Sequence, residues 1–264
     1  MNPLPPHPVS ASSTDGPTIS LSVVSHSQGR LIASLLDDLA KSDWHGGSPF
    51  EVIVTINIPE DEAWLPSSPP FPLKVLRNAR PKGFGANHNA AFRAARGAFF
   101  AVVNPDIRLA DFRVADLLAA LELPDAGVCG PVVLAPGGKL EDSARRFPTI
   151  AGLARRRLRR RQPEAAGSDY SPPAGVLPVD WLAGMFLLFP APVYRAIGGF
   201  DERFFMYLED VEISRFLRRR GLRTLWVGTT AVVHDASRAS HRSLRHMRYH
   251  LVSAARYFLL NPCR

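Results

Sequence analysis

Hydrophobic runs and amphipathic segments alternate along residues 19–134. Apolar runs favour β-strands, and they lie at 19–24, 51–56, 73–76, 98–103 and 127–134. Between several of these runs, apolar residues recur at helical spacing, as at Leu31, Leu35, Leu36 and Leu39, within 86–95 and within 114–121. This alternation predicts an α/β fold with a doubly wound, mostly parallel central sheet flanked by helices. Ligands of such sheets bind at the carboxyl ends of the strands.

In residues 185–260 the predicted strands and helices alternate less regularly. The apolar run 185–189 predicts a strand that ends at Pro190, and Gly198-Gly199 closes a short helix after it. One helix face then carries Val211, Ile213, Phe216 and Leu217. Short runs at 225–227 and 231–233 predict two strands, the second ending at His234. Residues 244–260 predict a basic amphipathic helix, whose apolar side consists of Leu244, Met247, Leu251, Ala254, Ala255 and Phe258.

Length and composition indicate one globular domain with appendages. The chain has 264 residues, of which 46% are hydrophobic. We expect a disordered lead at 1–17, the main domain at 18–235 with a basic surface excursion at 145–173, and a basic helical extension at 236–264. No apolar run approaches the roughly 18 residues of a membrane span, and the N-terminus does not resemble a secretory signal. Cys129 and Cys263 give no indication of a disulfide, so we expect a cytoplasmic location.

The chain is strongly basic, with a net charge of +8 and a pI of about 10.1. Arginines cluster at 155–161 and again within 238–256. Such a balance is typical of proteins that bind nucleic acid, anionic membranes or phosphate-bearing substrates, whereas the ordinary alternative is a solvated surface. No nucleic-acid reading motif accompanies the charge, so we do not expect a nucleic-acid partner.

Two short segments with acidic residues are candidates for catalysis or metal binding because of their position in the chain. Asn104-Pro105-Asp106 directly follows the fourth strand, and both side chains offer the oxygen ligands that Mg²⁺ or Mn²⁺ prefers. The alternative is a plain Asx-Pro turn. Glu209 and Asp210 stand at the start of a helix, where acids also stabilise the helix dipole.

The segment that includes this acidic pair resembles family 2 glycosyltransferases, which have the GT-A fold. The family carries a glycine-rich strand and a "GGFDE.FF.Y.ED" segment, which Gly184, Gly198, Gly199, Phe200, Asp201, Glu202, Phe204, Phe205, Tyr207, Glu209 and Asp210 fit. The resemblance extends over about residues 19–235. It implies a GT-A fold and transfer of a sugar from a nucleoside-diphosphate-sugar.

On the donor side, the resemblance implies a metal site. The family's "DxD" or "NPD" motif makes Asp106 the principal ligand of Mg²⁺ or Mn²⁺ and Asn104 a variant of the first position. A histidine at the end of the strand after the "ED" helix completes the metal site in related transferases, and this role falls to His234. The alternative for His234 is a packed or surface histidine.

On the acceptor side, the resemblance implies that Asp210 is the general base that deprotonates the acceptor hydroxyl. Glu209 either orients the acceptor or caps the helix. Trp181 and Gly184 resemble the segment that lines the sugar and acceptor pocket, and Asp201 belongs with them as a substrate-binding candidate. Core packing is the alternative for Trp181.

The nucleotide-binding side departs from the family pattern. Residues 80–89 resemble its "N.GF..A.N.G" stretch, which implies nucleotide contacts for Gly83, Phe84, Asn87 and Asn89. The first strand, however, ends in Ser25-His26-Ser27 instead of Thr-Tyr-Asn. The second ends at Asn57 without the usual aspartate. We count Ser25 and Asn57 among the nucleotide contacts, and the departures leave the nucleotide open.

The resemblance implies an inverting, metal-dependent glycosyltransferase that moves rhamnose or a hexose to a cell-surface glycan or lipid-linked acceptor. A lipid-linked acceptor explains the basic segments, since anionic surfaces attract Lys and Arg. We therefore expect peripheral contact with the inner face of the membrane. The alternative, indicated by Asn57 and Asn104, is a degenerate transferase that binds a nucleotide-sugar or glycan without turnover.

Overall fold

The structure is a computed structural model that describes residues 18–41, 43–149, 152, 169–235 and 244–261. The strands in these residues are β1 (Ile19–Ser25), β2 (Phe50–Ile56), β3 (Leu73–Arg77), β4 (Phe99–Val103), β5 (Ile107–Arg108), β6 (Ala126–Leu134), β7 (Ala144–Arg145), β8 (Val176–Val179), β9 (Trp181–Leu182), β10 (Phe186–Pro190) and β11 (Arg223–His234). The helices are α1 (Gly29–Lys41), α2 (Phe84–Ala94), α3 (Val114–Leu121), α4 (Ala191–Ala196), α5 (Glu209–Arg219) and α6 (Leu244–Leu260).

The main sheet is mixed, with strand order β3-β2-β1-β4-β10-β6-β11-β5 and β8 paired to β11. Strands β1 to β4 run parallel to one another, and β11 runs parallel to β6. Strand β10 lies antiparallel between β4 and β6, so β6 and β11 point the same way as β4. Strands β7 and β9 form a separate two-stranded sheet.

Helices cover both faces of the main sheet. One core cluster joins α1 and α3, through residues such as Leu35 and Leu117, to the β-strand side chains of one face. A second cluster joins α2, α4 and α5, through Ala91, Tyr194 and Leu217, to the other face. Alternate residues of β4 and β10 enter opposite clusters, as the strand period of two requires. The predicted α/β fold with a doubly wound, mixed sheet is confirmed.

Helix α6 attaches to this domain through a small third cluster. Trp181, Phe204, Val211 and Tyr257 are all buried there, and they bring together β9, the segment before α5, α5 itself and α6. Arg215 of α5 adds a hydrogen bond of 2.8 Å to the Tyr257 hydroxyl. Helix α6 is therefore fixed against α5.

Several element boundaries differ from the sequence prediction. Helix α2 begins at Phe84, before the predicted residue 86, because the Phe84 amide donates to the distant Phe205 carbonyl. The runs 225–227 and 231–233 belong to one strand, β11, whose register against β6 shifts between them. Strands β5, β7 and β9 have two residues each and are too short to leave a periodic pattern.

The apolar side of α6 does not coincide with the side that faces the domain. Met247, Leu251 and Ala255 are exposed, whereas Ser253 and Tyr257 form the buried side. Apolar spacing located the helix but not the side that faces the domain, because the buried side includes a serine that bonds to the Met206 carbonyl.

Some predictions fall on residues outside the described ranges. They concern the lead at 1–17, the arginine block at 155–161 and Cys263. The domain boundaries likewise stay predictions. Cys129 is buried as a free thiol. Among the described residues, no helix combines the length and apolar character needed to cross a membrane.

Candidate active site

The sheet topology gathers the predicted site residues at one edge. Strands β1, β2, β4 and β11 end there. Ser25 and His234 are the last residues of β1 and β11, and Asn57 and Asn104 directly follow β2 and β4. Strand β10 runs the opposite way, so the residues before it, Gly184 and Met185, reach the same edge. The backbone amide of Asn104 donates to the Met185 carbonyl at 2.9 Å. This bond joins the end of β4 directly to the residues before β10.

Asp106 and His234 meet at this edge together with a third residue, Glu141. The His234 Nε2 atom lies 3.3 Å from Asp106 Oδ2, and its Nδ1 atom lies 2.8 Å from Glu141 Oε2. Pairing of β5 with β11 and a backbone bond from Asp235 to Asp106 fix this arrangement. Sequence reasoning missed Glu141. It follows the turn after β6, and no motif marks it.

The charges around His234 favour a cation. Burial by itself lowers the pKa of His234, but the hydrogen bonds and charges of Asp106 and Glu141 outweigh it and raise that pKa to about 9. Asp106 Oδ1 is buried and has no hydrogen-bond partner within the described part of the chain. The cluster therefore has a carboxylate oxygen available and negative charge on both sides of the imidazole.

These donors fit part of a divalent metal site. Asp106 offers an oxygen and neutral His234 offers Nε2, while Glu141 holds the other ring nitrogen as outer partners of metal-bound histidines do. In the described ranges no group of three or more His, Cys, Asp and Glu residues is arranged to hold a metal alone. Asn104 stays a predicted ligand, and substrate oxygens or water, which Mg²⁺ commonly keeps, would complete the coordination.

Asp210 lies at the same edge, held by backbone amides. Gly184 donates to Asp210 Oδ2 at 3.0 Å, and Val211 donates to Asp210 Oδ1 at 2.9 Å. A Cβ atom on Gly184 would lie 3.1 Å from the Phe84 ring, so the close packing here favours glycine. The carboxylate is thus oriented by groups that cannot rotate away.

The two neighbouring acids differ in their surroundings. Burial raises the pKa of Asp210, while the amides of Gly184 and Val211 lower it. Burial also raises the pKa of Glu209, and the nearby charge of Asp210 raises it further, to well above its ordinary value. Glu209 Oε2 is buried and has no partner among the described residues. Burial and the charge of Asp210 thus favour the protonated form of Glu209, while the two backbone donors favour the charged form of Asp210.

The 204–208 loop leads directly into this acidic pair and has an unusual backbone. Tyr207 and Leu208 have φ values of 71° and 67°, in the left-handed region that L-residues seldom adopt. Helix α6 holds them. The Tyr207 ring stacks on the His250 ring with centroids 3.4 Å apart, and the Tyr207 hydroxyl lies 2.8 Å from His246 Nδ1.

Most predicted nucleotide contacts have partners inside the protein. The oxygen of Asn57 accepts from the Lys82 amide at 2.8 Å and from Asn78 at 2.9 Å. The side-chain amide of Asn87 donates to the carbonyls of Lys82 and Gly83. Ser25 donates to Glu60 at 2.6 Å. Asn57 and Asn87 thereby shape the 78–83 loop at the site edge. Direct contact of these three residues with a nucleotide stays a prediction.

The N-terminus of α2 is likewise occupied by protein. The Phe84 amide donates to Phe205 at 2.9 Å, and a Cβ atom on Gly83 would lie 2.5 Å from that carbonyl oxygen. Glycine is needed here to admit the 204–208 loop. Nucleotide contacts of Gly83 and Phe84 stay predictions.

Asn89, Trp181 and Asp201 serve packing and turns. Asn89 is buried and bonds to the Tyr194 hydroxyl and to both the amide and the carbonyl of Phe200. Trp181 is 6% exposed in the third cluster, as its core-packing alternative predicts. Asp201 pairs with Arg203 at 2.6 Å. Roles for these three in ligand binding stay predictions.

Comparison with known proteins settles the family. Residues 20–182 match the sequence model described as Glycosyl transferase family 2, which is more than half of the chain. The chain belongs to glycosyl transferase family 2. The matched region contains the Asp106 and Glu141 positions but ends before Glu209, Asp210 and His234, so the family match leaves the roles of those three untested.

Two curated relatives are rhamnosyltransferases by name. The chain is 32% identical over 169 residues to N-acetylglucosaminyl-diphospho-decaprenol L-rhamnosyltransferase of Mycobacterium tuberculosis, a match that covers 59% of this chain and 55% of the relative. It is 27% identical over 258 residues to rhamnosyltransferase WbbL of Escherichia coli, covering 89% of this chain and 90% of the relative. The match thus spans about half the length of the mycobacterial relative.

A solved structure confirms the GT-A fold of this family 2 member. The mannosyltransferase of Pyrobaculum calidifontis in complex with GDP-Man and Mn²⁺ superposes with a TM-score of 0.60 at 17% identity. The superposition covers 93% of this chain and 65% of that structure.

The bonding of Asn89 predicts a structural effect. Replacing Asn89 by alanine leaves the Tyr194 hydroxyl and the Phe200 backbone without partners, so Asn89→Ala should reduce the free energy of unfolding by about 2–4 kcal/mol. Urea unfolding measures this change, with exposed Glu122→Ala as the control expected to stay within about 0.5 kcal/mol. A loss below about 0.5 kcal/mol for Asn89→Ala would show that the amide does not hold the turn.

Proposed function

We propose that this family 2 protein is an inverting, metal-dependent glycosyltransferase. It moves rhamnose or a hexose from a nucleoside-diphosphate-sugar to a cell-surface glycan or lipid-linked acceptor. The observation that carries the proposal is the position of Asp210. Its bond to Gly184 places it beside the start of β10, at the sheet edge that also carries Asp106 and His234. The two named rhamnosyltransferases among the relatives support the choice of sugar.

Asp210 performs the proton transfer in this proposal. It accepts the proton of the acceptor hydroxyl as the acceptor oxygen attacks the anomeric carbon from the side opposite the diphosphate, and the configuration inverts. Its raised pKa makes it a stronger base than an ordinary aspartate near neutral pH. The amides of Gly184 and Val211 keep the carboxylate oriented throughout.

Asp106 and His234, with Asn104 as a weaker ligand, would hold the divalent cation, and Glu141 would orient His234. A bound Mg²⁺ or Mn²⁺ supplies charge neutralisation for the leaving diphosphate. The same proposal places the protein in the cytoplasm in peripheral contact with an anionic membrane, which the net charge of +8 supports.

A degenerate transferase that binds without turnover is the second candidate. It is favoured by Asn57, whose side chain is already bonded to Asn78 and Lys82 where a nucleotide would be read. Metal-dependent hydrolysis of the donor separates the two candidates. Hydrolysis that needs Mn²⁺ supports the enzyme, and its absence with each common nucleotide-sugar supports the binding protein.

The different surroundings of the acidic pair predict different mutant phenotypes. Asp210→Asn removes the base and should lower kcat by about 10²–10⁴-fold at saturating donor. Glu209→Gln mimics the protonated form that the raised pKa of Glu209 favours, so it should retain kcat within about threefold. Steady-state transfer assays compare the two variants. Near-wild-type kcat for Asp210→Asn would remove Asp210 from the role of base.

The shifted pKa of Asp210 predicts the pH dependence of kcat. A base works only when deprotonated, and its raised pKa means that it is protonated at a higher pH than an ordinary aspartate. As pH falls, kcat should therefore decline along an acid limb that lies above about pH 4, the ordinary aspartate value. A pH–rate profile whose acid limb lies at or below that value would contradict the assignment.

The cluster at His234 predicts graded effects on metal-dependent binding. Asp106→Ala should abolish Mn²⁺-dependent binding of UDP, GDP and dTDP. Glu141→Gln should weaken that binding by about 10–100-fold, because it weakens the orientation of His234. Calorimetric titration of each diphosphate with and without Mn²⁺ measures both, with Glu122→Gln as a surface control. Unchanged binding by Asp106→Ala would refute the metal site.

A further inference from the structure

Helix α6 has an apolar face that the rest of the described chain leaves exposed. Met247, Leu251, Val252 and Leu259 have exposed fractions of 55%, 66%, 48% and 81%. At about 100° per residue, these four lie within an arc of about 140° on one side of the helix. We name these four residues the α6 stripe. Such a contiguous apolar face on a surface helix indicates a partner.

The opposite face of α6 is firmly attached to the domain. Ser253 and Tyr257 are buried, and Ser253 donates to the Met206 carbonyl at 2.8 Å. Tyr249 contacts Phe205 with ring centroids 4.9 Å apart. The stripe therefore points away from a helix whose position is already fixed.

The charge of α6 identifies the chemistry of the partner. Residues 244–261 contain three arginines, Arg245, Arg248 and Arg256, and no Asp or Glu. Arg248 is exposed within the arc of the stripe. Apolar side chains with an exposed arginine among them, on a helix that has no acidic residue, are typical of helices that lie in the interface of an anionic bilayer. A second copy of this chain, which carries the same net charge of +8, fits this face poorly.

We propose that the α6 stripe inserts into the headgroup region of an anionic lipid bilayer and so positions the 204–208 loop at the membrane surface. Helix α6 contacts that loop through Tyr207 and Met206, immediately before Glu209 and Asp210. The loop and the acidic pair therefore lie on the domain side of α6, and a bilayer against the stripe covers the other side of the same helix. Only the benefit for a lipid-linked acceptor rests on the proposed function, because the lipid contact follows from the helix itself.

Vesicle sedimentation of the full chain tests the contact. The vesicles are phosphatidylcholine with roughly one third phosphatidylglycerol, and pure phosphatidylcholine is the comparison. Leu251→Gln/Leu259→Gln should reduce binding to the anionic vesicles by about tenfold or more, because it removes apolar area that enters the interface. The matched control is Leu123→Gln/Val176→Gln, which changes residues that are 39% and 42% exposed elsewhere and should bind like the wild type.

Three results would overturn the inference. They are absence of wild-type binding to anionic vesicles, equal loss in the control, and unchanged binding by the stripe variant. A wild-type dimer in light scattering that the stripe variant lacks, without vesicle binding, would assign the stripe to a second copy.

Transfer assays distinguish a failure of the lipid contact from a failure of the proposed function. The stripe variant should transfer normally to a water-soluble acceptor and poorly to a prenyl-diphosphate acceptor in vesicles. Failure of all transfer with vesicle binding retained would refute the proposed function and leave the lipid contact supported.

Discussion

The direction of β10 is the constraint on which the candidate site depends. This strand lies antiparallel between β4 and β6, with Phe186 opposite Val103. Its reversed direction brings Gly184 to the edge where β4 and β11 end, and the amide of Gly184 can then bond to Asp210. In a parallel arrangement the same residue would lie at the far edge of the sheet. A slip of one residue would also exchange the two faces of β10 between the two core clusters, so packing fixes the register on which the site depends.

Long periodic segments made the fold predictable. Parts of the site were not predictable, because they depend on contacts between residues that lie far apart in sequence. Helix α3 has the predicted bounds, Val114–Leu121, and the family motif indicated the GT-A fold. Glu141 could not be predicted, because 93 positions separate it from His234 and only the pairing of β6 with β11 brings them together. The motif likewise pointed to Glu209 and Asp210, but their different protonation follows from burial and from two backbone donors that only the folded chain shows.

Polar residues at the site edge show a second limit of sequence reasoning. An asparagine offers the same donors and acceptors to a ligand, a loop or a turn, so its identity does not reveal its partner. Asn57 bonds to the 78–83 loop and Asn89 to the Phe200 turn, and both partners lie far away in sequence. The same limit applies to α6, where apolar spacing marked a helix. Which side faces the domain is decided by contacts of Ser253 and Tyr257.

Because the backbone at Tyr207 and Leu208 is left-handed, α6 helps to determine the position of the acidic pair. Each left-handed L-residue costs roughly 1–2 kcal/mol, and the stacking of Tyr207 on His250 is among the contacts that offset this cost. If α6 moves away, the loop loses those contacts and relaxes, and the start of α5 shifts with it. Helix docking and the placement of Asp210 are therefore one thermodynamically linked equilibrium. By reciprocity, whatever stabilises the docked helix stabilises the ordered acids by the same free energy, and an acceptor that orders the acids tightens the hold on the helix.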